Sequence, residues 1–276
     1  MAITNFIPTI WSARLLANLD KSLVYGGLVN RDYEGEITGQ GSSVKINQIG
    51  DITISDYVDA TGLSNPQAID GVQQTLTIDQ AKSFHFSVTD INQVQANVDL
   101  MNGAMQRASY GMADVIDKYI AGFYTGVAVG NTIGDDTTPI LPTKDNAYEY
   151  LVDLAVKLDE ANIPSIGRFV VVPSWYHGLL LKDPRFTKDP AVLSTGYIGD
   201  VDGLQVFKSN NVPNIDGTKY KIMAGSTIAI SFAQQLVEIE AYRPEKSFAD
   251  AVKGLNVYGC KLVQPKAIAV LTANRG

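Results

Sequence analysis

Two strand-like runs flank the segment "YVDATGLSNPQAIDG", residues 57–71, and they restrict the fold more than any other feature of the chain. In "EITGQGSSVKINQIGDITISD", residues 36–56, Val44 and Ile46 alternate with polar residues, as do Ile52 and Ile54. "VQQTLTIDQAKSFHFSV", residues 72–88, repeats the pattern with Leu76 and Ile78, then Phe84, Phe86 and Val88. Alternation at period two gives each strand one apolar and one polar face. Fifteen residues of strand reach about 50 Å, and a two-stranded hairpin is marginal alone in water. A hairpin of this length must lie on something. Residues 36–71 carry five acids (Glu36, Asp51, Asp56, Asp59 and Asp70) against the single base Lys45, so an oppositely charged landing surface fits. A hairpin folded back on its own domain is the alternative.

The next segment holds the strongest periodic signal in the chain. Ile91, Val94, Val98, Met101, Met105, Ala108, Met112, Val115 and Tyr119 recur at alternating spacings of three and four. Asp90 and Gln93 suit an N-cap and its capping-box partner. The spacing predicts a helix over 90–124, on the order of 50 Å long. Such a repeat also suits a coiled coil. Gly103 and Gly111 within the run, and few flanking charge pairs, favour one long helix against a sheet. Met and Ala on the stripe suit an irregular surface better than a tight seam.

Beyond a Gly-, Thr- and Asp-rich loop the pattern becomes α/β. Ala147, Leu151, Leu154, Ala155 and Leu158 mark a helix stopped by Pro164. "RFVVV" reads as a buried strand and "PSWYHGLLL" as a short helix entered at Pro173. Strands follow around "GLQVFKS", "KYKIMA" and "STIAIS", and three or four more close the chain around a loop at Pro244. Those late strands can return to the long helix, which makes the domains discontinuous in sequence.

Catalytic and metal chemistry find little support. His85 lies between Phe84 and Phe86, and His177 follows Trp175 and Tyr176; neither has ligand neighbours at zinc spacing. No G-x-S-x-G occurs, and Ser174 and His177 read as an N-cap and a surface residue. "TGQGSS" lacks the lysine of a phosphate loop, and "NNVPNIDG" and "GDDTT" lack the terminal glutamate of a calcium loop. No cofactor is expected. A net charge of −7 disfavours condensation of nucleic acid by charge. The lone cysteine, Cys260, excludes an intrachain disulfide. No apolar run approaches the ~18 residues that span a bilayer, and the first residues lack the pattern of a secretion signal.

An extended N-terminal segment, long hairpin, long helix, α/β domain and returning β element, in that order, resemble the major capsid proteins of tailed bacteriophages, with their α+β Hong Kong 97-like fold. The likeness covers essentially the whole chain. "FVVVPSWYHGLLLKDPRF" is similar to the strand and helix of that family's axial domain, "GLQVFKSNNVP" to its following hairpin strand, and "LNVYGCKLVQPKAIAVL" to its closing strands. The resemblance implies an N-terminal arm over 1–34 and an extended loop over 35–89. It implies a peripheral domain with its spine helix over 90–142, an axial domain over 143–235, peripheral strands over 236–260 and an axial closing strand over 261–276. The loop tip would lap over a neighbouring subunit, with its apolar face buried between chains. Trp11, Asp56, Tyr57, Asp59, Leu63, Ile69 and Asp70 are the candidate intersubunit contacts.

The implied function is structural: hexamers and pentamers of an icosahedral shell enclosing double-stranded DNA, in a virion assembled in the host cytoplasm. The implied partners are copies of the chain, a separate scaffolding protein and a portal protein, with no membrane. Some relatives cross-link the loop through a lysine, but residues 57–71 contain none, and Lys45 and Lys82 lie well back along the strands. The arm-like sequence begins within a few residues of Met1, so the mature subunit is expected to keep its N-terminus. An encapsulin-like cargo shell and an α/β enzyme with an unrecognised site are the alternatives.

Overall fold

The computed structural model describes residues 23–34, 41–49, 52, 54, 57, 71–89, 100–185, 198–245 and 248–275. The first paired elements are β1 (Ser43–Ile49) and β2 (Gly71–Thr77), antiparallel in a register that sets Val44 opposite Leu76 and Ile46 opposite Gln74. The alternation predicts this pairing, which the described residues show over 43–49 and 71–77; Ile52 and Ile54, expected in strand, are not in one. The run from 72 to 88 is not one strand, however. It breaks at Ile78 and Asp79, and β3 (Gln80–Thr89) leaves the hairpin to pair with a strand near the end of the chain.

Helix α1 spans Leu100–Ala121 and passes into a 3-10 turn over Gly122–Gly126; the predicted stretch 90–99 lies outside the described residues. The buried face of α1 differs from the predicted stripe. Met105 and Met112 are buried as expected, but the face continues through Ser109, Ala113, Ile116, Asp117, Ile120 and Ala121. Val115 turns outward at 39% exposed. The physical reason lies in the period. A stripe repeating every 3.5 residues drifts about 20° per heptad around a straight helix, so a helix packed on a sheet buries residues that follow 3.6.

After β4 (Thr132–Ile133), α2 spans Ala147–Glu160, and all five predicted apolar residues are fully buried. Its stop comes before Pro164. Asn162, at φ 55, and Ile163 donate backbone hydrogen bonds to Asp159 and Leu158, a left-handed C-terminal stop. Buried Arg168 closes the same turn, with its guanidinium 2.7 Å from Asp159 and its Nε donating to the Pro164 carbonyl at 2.9 Å.

Strand β5 (Arg168–Val172) is buried throughout, and α3 (Ser174–Leu181) follows with Pro173 at its N-cap. Ser174, expected as the cap, instead bonds Asn210 through its hydroxyl at 2.7 Å. The remaining strands are β6 (Asp200–Val201), β7 (Leu204–Lys208), β8 (Asn214–Ile215), β9 (Lys219–Ser226), β10 (Ile230–Tyr242), β11 (Ala249–Leu262) and β12 (Ile268–Asn274).

Among the described residues the strands form three sheets. Besides the hairpin there is a three-stranded sheet in the order β10-β11-β3 and a seven-stranded sheet in the order β4-β12-β9-β5-β7-β6, with β8 on β9. The last strand of the chain thus sits between strands from residues 132 and 219 onward, and β11 pairs with β3 across more than half of the sequence. Helix α1 joins the two larger sheets. Met105 packs with Ile239 and Val252 of the three-stranded sheet, whereas Met112, Ile116 and Ile120 enter the main core with α2, β5 and β12.

Candidate assembly surface

The root of the hairpin is bound to its own chain. Ile46, Leu76 and Ile78 pack with Ala233, Val257 and Val263, and Val44 is buried as well. The expectation that the apolar face of the hairpin is buried between chains is therefore corrected for the root, where period-two alternation met a partner from β10 and β11. The amide of Gln74 donates to the Val263 carbonyl at 3.1 Å. Gly259 on β11 is required by this approach, because a Cβ there would clash with the backbone at Thr77 and lie 2.9 Å from Cα of Ile78.

Farther out the pattern reverses. Ile52 is 62% exposed, Ile54 90% and Tyr57 65%. Of the predicted contact residues, Tyr57 is described and lies exposed; Trp11, Asp56, Asp59, Leu63, Ile69 and Asp70 lie outside the described residues. Ile52, Ile54 and Tyr57 lie beyond the paired residues of β1 and leave apolar surface exposed.

The link between β2 and β3 is held from the helix. Tyr119, near the end of α1, donates its hydroxyl to Asp79 at 3.0 Å. Its ring is clasped edge-on by Phe123 and Tyr258, at centroid distances of 5.5 and 5.4 Å. Burial, then the neighbouring Asp79 carboxylate, raises the Tyr119 phenol above the ordinary tyrosine range.

The sheet face opposite the helix is partly covered by the hairpin root and then opens into a groove. His85 meets the Tyr242 hydroxyl at 2.7 Å, with the two rings stacked. Lys253 pairs with Glu240 at 2.7 Å and lies 5.3 Å from the centre of the Tyr242 ring. His85 is thus held by a phenol on the face of the sheet. Gly254 is pressed by the Phe84 ring on the other face.

The chain's N-terminal segment is tied down by a residue that periodicity missed. Asp117 is 1% exposed on the buried face of α1, where its carboxylate accepts the backbone N–H groups of Val24 at 2.8 Å and Gly26 at 3.1 Å. Burial raises its pKa, while these hydrogen bonds oppose the rise. Tyr25 is inserted fully into the core, and Asn30 then bridges to β10 through Ser231. A lone acid on an apolar helix face was the sequence signal for this anchor.

Among the described residues no group of three or more His, Cys, Asp or Glu side chains could hold a metal. His177 is half-buried, and burial followed by the Lys208 charge holds it below the ordinary imidazole range. Burial raises the thiol of Cys260, far from the thiolate a nucleophile needs. No described helix is long and apolar enough to cross a membrane.

Comparison with known proteins adds to this geometry. Residues 71–271 match the family described as phage capsid protein. A solved structure from Mycobacterium phage Che8 is 31% identical, covers 90% of each chain and superposes with a TM-score of 0.73. The capsid of Cyanophage P-SCSP1u, 14% identical, covers 92% of this chain and 89% of its own with a TM-score of 0.70. The holo-SrpI encapsulin complex from Synechococcus elongatus PCC 7942 is 14% identical over 86% of this chain and 84% of its own, with a TM-score of 0.55. No curated protein matches the sequence.

Proposed function

The chain belongs to the phage capsid protein family, and on that premise we propose that its copies assemble through the β1–β2 hairpin into hexamers and pentamers of an icosahedral shell around double-stranded DNA. Its fold is the Hong Kong 97-like fold of phage major capsid proteins. The observation that carries the proposal is a contrast along the chain: the β1–β2 pair is sealed against its own β10 and β11, whereas Ile52, Ile54 and Tyr57 beyond β1 are exposed. Burial of such residues favours association in proportion to the apolar area covered.

In this reading residues 1–34 are the arm and 35–89 the extended loop. Residues 90–142 with 236–260 form the peripheral domain, and 143–235 with 261–276 the axial domain. Trp11, Asp56, Tyr57, Asp59, Leu63, Ile69 and Asp70 contribute contacts between subunits. The role is structural rather than catalytic. Assembly takes place in the host cytoplasm, with a separate scaffolding protein and a portal protein as partners. A net charge of −7 supports a container whose genome is driven in rather than gathered by the coat.

Electron microscopy of the purified chain tests the proposal. Capsomers, sheets or shells are the expected products, and a monodisperse folded monomer at high concentration refutes it. Replacing residues 57–70 with a short Gly-containing turn is expected to leave the subunit folded while impairing assembly. The encapsulin alternative predicts protein cargo in place of nucleic acid, and the ultraviolet absorbance ratio of particles made in infected cells distinguishes the two.

A further inference from the structure

We propose that the Tyr119–Asp79 hydrogen bond is a positioning contact that sets the angle at which the hairpin leaves the helix and sheet, and thereby the geometry with which copies pack. The inference rests on the proposal that the hairpin is an assembly element.

Ile78 and Asp79 alone separate β2 from β3, and the two strands belong to different sheets. The hairpin's backbone pairing runs on to Ile78, bonded to Ser42 and Gly41, and the β3 ladder begins at Gln80, so contacts around Asp79 must fix the inclination of the hairpin. The apolar cluster beneath Leu76 and Ile78 supplies attraction, which is non-directional. Gly259 sets how closely the root approaches β11, and the Gln74 bond to Val263 restrains one side. Tyr119 adds a directional bond from a different element, the last turn of α1, and delivers it to the link itself.

Two features suit Tyr119 to this role. Phe123 and Tyr258 hold the ring edge-on, so the hydroxyl is presented from a fixed position. The acceptor is a carboxylate, whose oxygens only accept, so the Tyr119 hydroxyl is the donor and its proton is directed at the link.

Leverage makes a small contact matter. The seven paired residues of the hairpin extend about 23 Å from the link at ~3.3 Å per residue. A rotation of roughly 10° at the root therefore moves the paired end by ~4 Å, well beyond the ~0.5 Å within which designed contact sites must be held.

Hydrogen exchange on unassembled subunits and electron microscopy of assembled particles test the proposal together. The variants are Tyr119→Phe, which keeps the ring and removes the donor, Asp79→Ala, which removes the acceptor, and Asp79→Asn, which retains a carbonyl acceptor. Tyr119→Phe and Asp79→Ala are expected to speed exchange several-fold at Ile78 and Gly41, whose amides close the hairpin root, and to broaden the distribution of particle diameters. Asp79→Asn is expected to match the wild type in both readouts.

Wild-type exchange in Tyr119→Phe overturns the positioning role whatever its particles look like. Faster exchange with unchanged particle diameters overturns the link to packing geometry. Failure of the wild-type chain to form particles counts against the assembly proposal instead, and the exchange data still decide whether Tyr119 holds the root.

Discussion

The carboxylate of Asp117 accepts the backbone N–H of Val24 at 2.8 Å, joining a buried position of α1 to a segment 93 residues earlier in the chain. The same side chain accepts Gly26, so one residue satisfies two donors of a turn packed into the core. Asp117→Ala leaves those donors without their acceptor. The expected loss is about 2–6 kcal/mol, from a cost of roughly 1–3 kcal/mol for each of two unsatisfied donors. Denaturant unfolding of the subunit measures it, and an unchanged midpoint shows that the turn finds other partners.

Met105→Asp is expected to destabilise the subunit by about 3–5 kcal/mol. The side chain sits in an apolar cluster with Ile239 and Val252, with Phe84 and Phe86 packed against it. A carboxylate there loses the packing of the thioether and must be desolvated or protonated. Wild-type thermal stability in this variant contradicts the packing of α1 on the three-stranded sheet.

Gly259→Ala tests the close approach of the hairpin root to β11. The added methyl must displace backbone at Thr77 and Ile78, which has little room to yield. Overpacking of this kind costs about 1–3 kcal/mol. Loss of exchange protection confined to the hairpin root is the expected signature, and unchanged protection contradicts the approach.

His177 gives a pH dependence with a defined sign. Its folded pKa lies below the ordinary 6.5, through burial first and the Lys208 charge second. Protons therefore bind the unfolded chain more readily, and stability contributed by the neutral ring is intact above the ordinary value. That stability is lost as pH falls from 6.5 through the lowered folded value. His177→Gln should flatten the decline in unfolding midpoint over this interval. Parallel curves for variant and wild type count against it.

Much of the α/β part is legible in the sequence. Ala147, Leu151, Leu154, Ala155 and Leu158 are all fully buried on α2, and "RFVVV" is the buried strand its composition indicates. In both cases the informative pattern lies within a dozen or so consecutive residues, and a local period directly sets which side chains share a face. The hairpin was legible for the same reason, with Val44, Ile46, Leu76 and Ile78 on its inward side.

Local pattern also indicated a long helix, but the stripe it named put Val115 on the buried face and missed Ile116. Met, Ala and Tyr fit several rotations, and the sheet beneath selected the one that buries Ile116 and turns Val115 outward. The split of 72–88 into two strands, the Gln74 bond to Val263 and the Tyr119 bond to Asp79 are likewise products of tertiary structure. Gln74 and its acceptor are 189 residues apart. An apolar face in a sequence states that something must cover it. Which surface does so depends on pairings between distant strands, because burial is non-directional and only the folded chain brings its candidates within reach.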